Sequence, residues 1–234
     1  MRIIAGRYKG QTIKALAGET TRPTTNRVKE AWASTITSLS ADGFAQARVL
    51  DAFAGSGALG LEALSRGASH VTFCERNRRA LEVLKANRAR ILSARPDDAP
   101  SDGTDSADVG DSGSSMDGEG NANSEGSEGS ANSVVLPLDV LAPQSLATLK
   151  RFGPYDLVFL DPPYSYAPRR IEDFLHALME AGLLKDNSLI TYEHRKKSDN
   201  KLSNDAIVPT GFQILSQKTY ATTQITYLHP SFFP

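Results

Sequence analysis

Cysteine is nearly absent. Of 234 residues only Cys74 carries a thiol, which excludes an internal disulfide and a cysteine-built metal centre. A reducing, cytoplasmic setting is the expectation, with Cys74 read as a small buried apolar residue in a strand. No apolar run approaches the ~18 residues that a membrane span needs. The four histidines, His70, His176, His194 and His229, stand at no ligand spacing. They read as structural or surface groups, and no metal is expected. The opening Met1-Arg2-Ile3-Ile4-Ala5-Gly6-Arg7 turns charged too soon for a secretion signal. What is present is a globular composition, 40% apolar and 23% charged, at a length that suits one large domain.

The formal net charge of −1 conceals a split. Residues 96–133 contain 10 Asp or Glu and no Lys or Arg, with 7 Gly and 9 Ser. Such a stretch buries too little apolar surface to offset the entropy of ordering, so a disordered acidic insert is expected there. A second reading makes it a screen over a basic face, displaced by nucleic acid. Outside it, 26 basic residues stand against 17 acidic ones, a balance that suits a polyanionic partner.

The remainder alternates strand and helix. Strands are expected at 48–53, 70–75, 134–138, 155–160 and 188–193, with helices at 57–66, 77–92, 143–152 and 171–181. Residues 212–215 and 224–228 alternate like an antiparallel pair. This pattern implies an α/β fold, a doubly wound, mostly parallel, seven-stranded sheet of the Rossmann-like kind. Two short β-like runs around Gly6 and Gly10 and a helix near 26–39, capped by Thr24 or Thr25 and carrying a core Trp32, precede it. The expected division is a basic hairpin-and-helix extension over 1–40 and a main domain over 41–234, interrupted at 96–133.

Gly55-Ser56-Gly57-Ala58-Leu59-Gly60 follows the first strand and opens the next helix, the context that gives a glycine-rich turn its meaning. Glu75 ends the second strand 20 residues after Gly55, where a carboxylate accepts both hydroxyl protons of a ribose. NAD enzymes and S-adenosylmethionine methyltransferases share this arrangement. Asp51 on the strand and Phe53-Ala54 before the first glycine are closer to the methyltransferase form.

Leu160-Asp161-Pro162-Pro163-Tyr164 ends the fourth strand. With strand order 3-2-1-4-5, it shares a crevice with the glycine loop. Prolines cannot continue the ladder, so the Pro162 carbonyl turns to the crevice beside the Asp161 carboxylate. Two acceptors side by side match the two N–H donors of an exocyclic amino group. Tyr164 offers a face on which a base stacks. Arg2, Arg7, Lys9, Lys14, Arg22, Arg27 and Lys29, with Tyr8 among them, suggest phosphate contact as readily as a solvated face. Arg195-Lys196-Lys197 reads as a solvated loop.

Three segments carry a resemblance: Arg22-Pro23-Thr24-Thr25-Asn26-Arg27-Val28-Lys29-Glu30-Ala31, the block from Leu50 to Ala68 around the glycine loop, and Leu160 to Tyr164. With the opening Ile3-Ile4-Ala5-Gly6-Arg7-Tyr8-Lys9-Gly10, they are similar to the RsmD family of bacterial 16S ribosomal RNA guanine-N2 methyltransferases. The resemblance implies S-adenosylmethionine as donor and a guanine of the small ribosomal subunit as acceptor; the chain is expected to act as a monomer. The resemblance also implies that Asp51, Phe53, Gly55 and Gly57 line the amino-acid end of the donor, Glu75 its ribose and Asp139 its adenine. Asp161, Pro162, Pro163 and Tyr164 become the catalytic corner. Among the basic residues of the first 30, Arg2, Arg7, Lys9 and Arg22 are the expected RNA contacts. Asn26 stands where the family usually has Asp, Ala33 where Phe is common, and Tyr220-Ala221-Thr222 lacks a usual Gly-Asp. The alternatives are amino-methylation of DNA adenine N6 or of a protein amide, and a non-catalytic RNA-binding or NAD-binding module.

Overall fold

The computed structural model describes residues 1–16, 26–93, 132–196 and 209–231. Arg22, the expected cap at Thr24 or Thr25, and residues 96–131 of the expected insert lie outside them. The elements run α1 (Asn26–Leu39), β1 (Arg48–Asp51), α2 (Ala58–Ser65), β2 (His70–Cys74), α3 (Arg78–Ser93), β3 (Asn132–Leu136), α4 (Ser145–Leu149), β4 (Tyr155–Leu160), α5 (Pro168–Glu180), β5 (Leu184–Arg195), β6 (Phe212–Tyr220) and β7 (Thr223–Pro230). One seven-stranded sheet has the order β3-β2-β1-β4-β5-β7-β6. The first five strands are parallel and β7 is antiparallel to both neighbours. This is the expected doubly wound, Rossmann-like sheet. None of the described helices is long and apolar enough to cross a membrane.

The sheet is covered on both faces, which is why its central strands are apolar without alternation. Val49, Val71, Phe73, Leu157 and Phe159 face one core, with Trp32, Ile36, Leu61 and Leu84 from the helices above. Leu50, Cys74, Val158, Leu160 and Ile190 face the other, under Leu149, Ile171, Phe174 and Leu178. Trp32 sits edge-on to Phe159 at 4.9 Å and donates its indole N–H to Thr191 Oγ1 at 3.3 Å.

Several boundaries differ from expectation. Asn132 and Ser133, assigned by composition to the insert, are the first residues of β3, paired with His70 and Val71. A ladder satisfies backbone groups whatever the side chain, so polar residues join it. α5 starts at Pro168 rather than 171 because proline suits the first helical turn. The tail strands run to 9 and 8 residues. The N-terminal runs make one antiparallel bridge, Arg2 with Thr12.

That N-terminal segment shares the main core through Ile3, Tyr8 and Ile13. Gly6 adopts φ +84, and a Cβ there would lie 1.8 Å from the Ser65 carbonyl oxygen, so the chain approaches α2 as only glycine allows. Glu62, wholly buried on α2, holds the segment in place. Its carboxylate accepts the N–H groups of Ile4 at 2.9 Å and Ala5 at 3.1 Å, and pairs with Lys29 Nζ at 3.0 Å and Arg66 Nε at 2.8 Å. Lys29 is also wholly buried. Burial lowers its pKa, and Glu62 opposes that shift. Glu62→Gln leaves a buried ammonium without its counter-charge, so a loss of ~3–5 kcal/mol is expected in urea unfolding.

Candidate active site

β1 and β4 are hydrogen-bonded neighbours, with Asp51 opposite Phe159 and the Ala52 N–H on the Phe159 carbonyl at 3.0 Å. The glycine loop leaves β1 and the Asp-Pro-Pro-Tyr corner leaves β4 at the same end of the sheet. The rings of Phe53 and Tyr166 meet across the gap at 6.1 Å. Gly57 takes φ +86 and turns the chain into α2, with Leu84 occupying the space where a Cβ would sit. At Gly55 a Cβ would meet nothing within 4 Å, so the backbone there borders open space. Glu75 supports this turn from β2. Its carboxylate oxygens accept the Gly55 N–H at 2.9 Å and the Asn77 N–H at 2.6 Å. Asp51 lies buried beneath the loop and accepts the Gly60 N–H at 3.0 Å. Asp139, beyond β3, pairs with Arg76 at 3.0 Å and accepts the Leu141 N–H.

On the corner, Asp161 is half-buried, Pro162 buried and Pro163 exposed. The Tyr164 ring is 52% exposed, with the Arg195 guanidinium 5.3 Å from its centre. Its hydroxyl shares a hydrogen bond with Thr223 Oγ1 at 3.0 Å. Arg195, read from sequence as a solvated loop residue, ends β5 and belongs to this corner. Glu193 is a residue that the sequence reading missed. It lines a small cavity with Asp161, Trp32, Leu59, Leu160, Thr191 and Ile225. Nothing local in the sequence marks it, and the sole clue was its place at the end of the fifth strand.

The crevice is strongly acidic. Burial pushes Asp51 up to about 7, and the nearby charges of Asp161 and Glu75 add to this against the opposing Gly60 N–H. Burial likewise raises Asp161 to about 6. Glu193 rises to about 8 through burial and the Asp161 charge. Carboxylates packed this way favour a proton or a cationic ligand among them.

The family model described as Conserved hypothetical protein 95 matches residues 1–98 and 134–229. Ribosomal RNA small subunit methyltransferase D of Haemophilus influenzae is 32% identical over 222 residues, 94% of this chain and 88% of that protein. The chain belongs to this family, the RsmD-like methyltransferases. The Escherichia coli protein of the same name is 31% identical over 82% of this chain and 74% of its own length. The solved structure of yhhF from Escherichia coli, 26% identical, superposes with a TM-score of 0.64 over 99% of this chain and 98% of that one. The rRNA methyltransferase aviRa from Streptomyces viridochromogenes, 15% identical with a TM-score of 0.62 over 93% of this chain and 88% of its own, shares the fold.

In this RsmD-like chain the expected RNA-facing residues divide. Arg2, Arg7 and Lys9 are exposed. Lys29 is not part of a charged face, because it is consumed by Glu62 inside the protein. Tyr8 is buried and cannot offer a stacking surface. Both departures arise because α1 and the N-terminal segment pack on α2 instead of extending from it.

The raised carboxyls make stability depend on pH. In the folded chain they hold protons that the unfolded chain releases above about pH 4.5. The folded state therefore binds more protons than the unfolded state up to about pH 8, and stability falls as pH rises through that range. Thermal unfolding at steps between about pH 6.5 and 8.5 should show this decline, shallower in Asp161→Asn and Glu193→Gln.

Proposed function

We propose that this chain transfers a methyl group from S-adenosylmethionine to the exocyclic N2 amino group of a guanine in small-subunit ribosomal RNA. The observation that carries the reading is the adjacency of the glycine loop and Asp161 at the ends of two paired strands. The Haemophilus influenzae and Escherichia coli relatives, both ribosomal RNA small subunit methyltransferases D, support the RNA class.

The chemistry of the crevice supports the donor. Burial and the nearby charges of Asp161 and Glu75 oppose the ionisation of Asp51, so this side of the crevice suits a ligand bearing a sulfonium and an ammonium. The pyrophosphate of NAD would add two negative charges there, which disfavours the alternative cofactor. When bound, S-adenosylmethionine supplies an electrophilic methyl group and departs as a neutral thioether. The open backbone at Gly55 borders its amino-acid end, with Phe53 and Gly57 alongside and Asp51 meeting the ammonium. Glu75 retains lone pairs for the ribose hydroxyls. Asp139, oriented by Arg76, faces the adenine amino group.

The acceptor amino group lies against Asp161 and the Pro162 carbonyl. Accepting both N–H bonds holds the nitrogen pyramidal, with its lone pair aimed at the methyl carbon. As the N–C bond forms, one N–H proton passes to the Asp161 carboxylate. Positioning and electrostatics supply the acceleration. Pro163 stiffens the corner, and Tyr164, its ring backed by Arg195, stacks on the base. Arg2, Arg7 and Lys9, with Arg22 from outside the described residues, meet phosphates.

Tritiated methyl transfer onto small subunits from a strain lacking the enzyme, with mapping of the labelled base, tests this reading. Label on adenine N6 or on protein would favour the alternative acceptors. Asp161→Ala should lower transfer by ~10²–10⁴ while S-adenosylmethionine still binds appreciably. A near-wild-type rate would refute the assignment. For the basic face, Arg7→Gln combined with Lys9→Gln should weaken RNA binding and reduce the slope of log affinity against log salt by about 2. Both side chains are exposed, so the fold is preserved.

A further inference from the structure

Glu193 stands on β5 where Asp161 follows β4. The strands are parallel with Leu160 opposite Tyr192, so the next position on each places Asp161 beside Glu193, on neighbours about 4.8 Å apart. Both line the same small cavity. The strand order separates their duties. The glycine loop and Glu75 belong to β1 and β2, on one side of β4, and Glu193 belongs to β5, on the other. Asp161 lies between the donor side and Glu193. The inference rests on the guanine reading above. A base whose amino group meets Asp161 extends its edge away from the donor, toward β5.

We propose that Glu193 is a specificity-determining residue that accepts the ring N1–H of the guanine whose N2 amino group is held by Asp161 and Pro162. Guanine presents N1–H and the N2 amino group as adjacent donors. Adenine presents a lone pair at N1 beside its amino group, which a carboxylate repels. A second acceptor one strand beyond the first therefore distinguishes the two purines where a single Asp161 would not. The Tyr164 hydroxyl beside Glu193 supports its charged form, whereas burial and Asp161 oppose it. A base edge rich in donors resolves that conflict, and one with a lone pair aggravates it. Thr223 and Arg195 hold Tyr164 in place at the same corner.

The test compares guanine with 2-aminopurine, which keeps the exocyclic amino group and replaces N1–H with a lone pair. Small subunits are reconstituted with ligated ribosomal RNA carrying either base at the position mapped with wild-type enzyme. Wild type should favour guanine by roughly tenfold to a hundredfold. In Glu193→Gln the preference should shrink to within about threefold, because the amide donates to the lone pair, while Glu193→Asp keeps it at a lower rate. Affinity for S-adenosylmethionine, measured by equilibrium dialysis, should stay within about twofold of wild type, since Glu193 lies off the donor side. The base preference is a ratio within one preparation, so a loss of folded protein does not alter it. An unchanged preference in Glu193→Gln overturns the role of Glu193 alone. Wild-type label on adenine, or on no RNA, overturns the guanine reading and this role with it.

Discussion

The hydrogen-bonded pairing of β1 with β4 is the constraint on which the site depends. These strands are separated in sequence by α2, β2, α3, β3 and α4, yet they lie side by side because the chain winds outward from β1 in one direction and restarts beside it in the other. Where winding reverses, the connections at the carboxyl ends diverge and leave a crevice. The two loops that border the crevice are placed by that reversal. Asp51 and the glycine loop leave one strand, and Asp161 to Tyr164 leave the other. A slip of either strand by one residue would exchange its two faces. It would carry Phe159 away from Trp32 and Leu160 away from the helices on the opposite face.

The second constraint is the Glu62 carboxylate, which joins the N-terminal segment to the domain. A buried ion pair alone is weak support, because desolvation offsets most of the attraction. Here the carboxylate also satisfies two backbone N–H groups of residues 4 and 5. These would otherwise face the interior unpaired, at a cost of about 1–3 kcal/mol each. The arrangement fixes the direction in which Arg2, Arg7 and Lys9 project. Lys29 gives up its place on a charged surface to make that possible, and the Arg2 carbonyl accepts a hydrogen bond from it at 2.6 Å.

Features with short-range signatures were legible in the sequence. The glycine turn, the apolar run over 155–160 and the double proline each carry their physics within a few residues. The order of the parallel strands was that of the doubly wound class, in which winding reverses beside the first strand. Long-range electrostatics left no such trace. Glu62 looks like any acidic residue on a helix, and only the approach of Gly6 and the arrival of α1 show it to be buried. Glu193 closes the strand expected over 188–193, and no neighbouring residue marks it as part of a site. Its partner, Asp161, is 32 positions away in the chain and one strand away in space. Composition misplaced Asn132 and Ser133 for a related reason, because β-pairing is a property of the backbone and of the neighbour that receives it.

An acidic crevice carries an energetic cost that bears on what occupies it. Carboxyls held well above their ordinary range mark sites where the folded chain forgoes solvation for placement. A cationic ligand favours their ionised forms, so its binding adds to the stability of the folded chain. On the proposed reading, the same coupling bears on the acceptor side. A donor's charge would draw Asp161 toward ionisation, and Glu193 would then gain stabilisation from a base edge that brings hydrogen-bond donors and lose it against one that brings a lone pair. Selectivity and catalysis would then draw on opposed carboxyls that the winding of the sheet brings to adjacent strand ends.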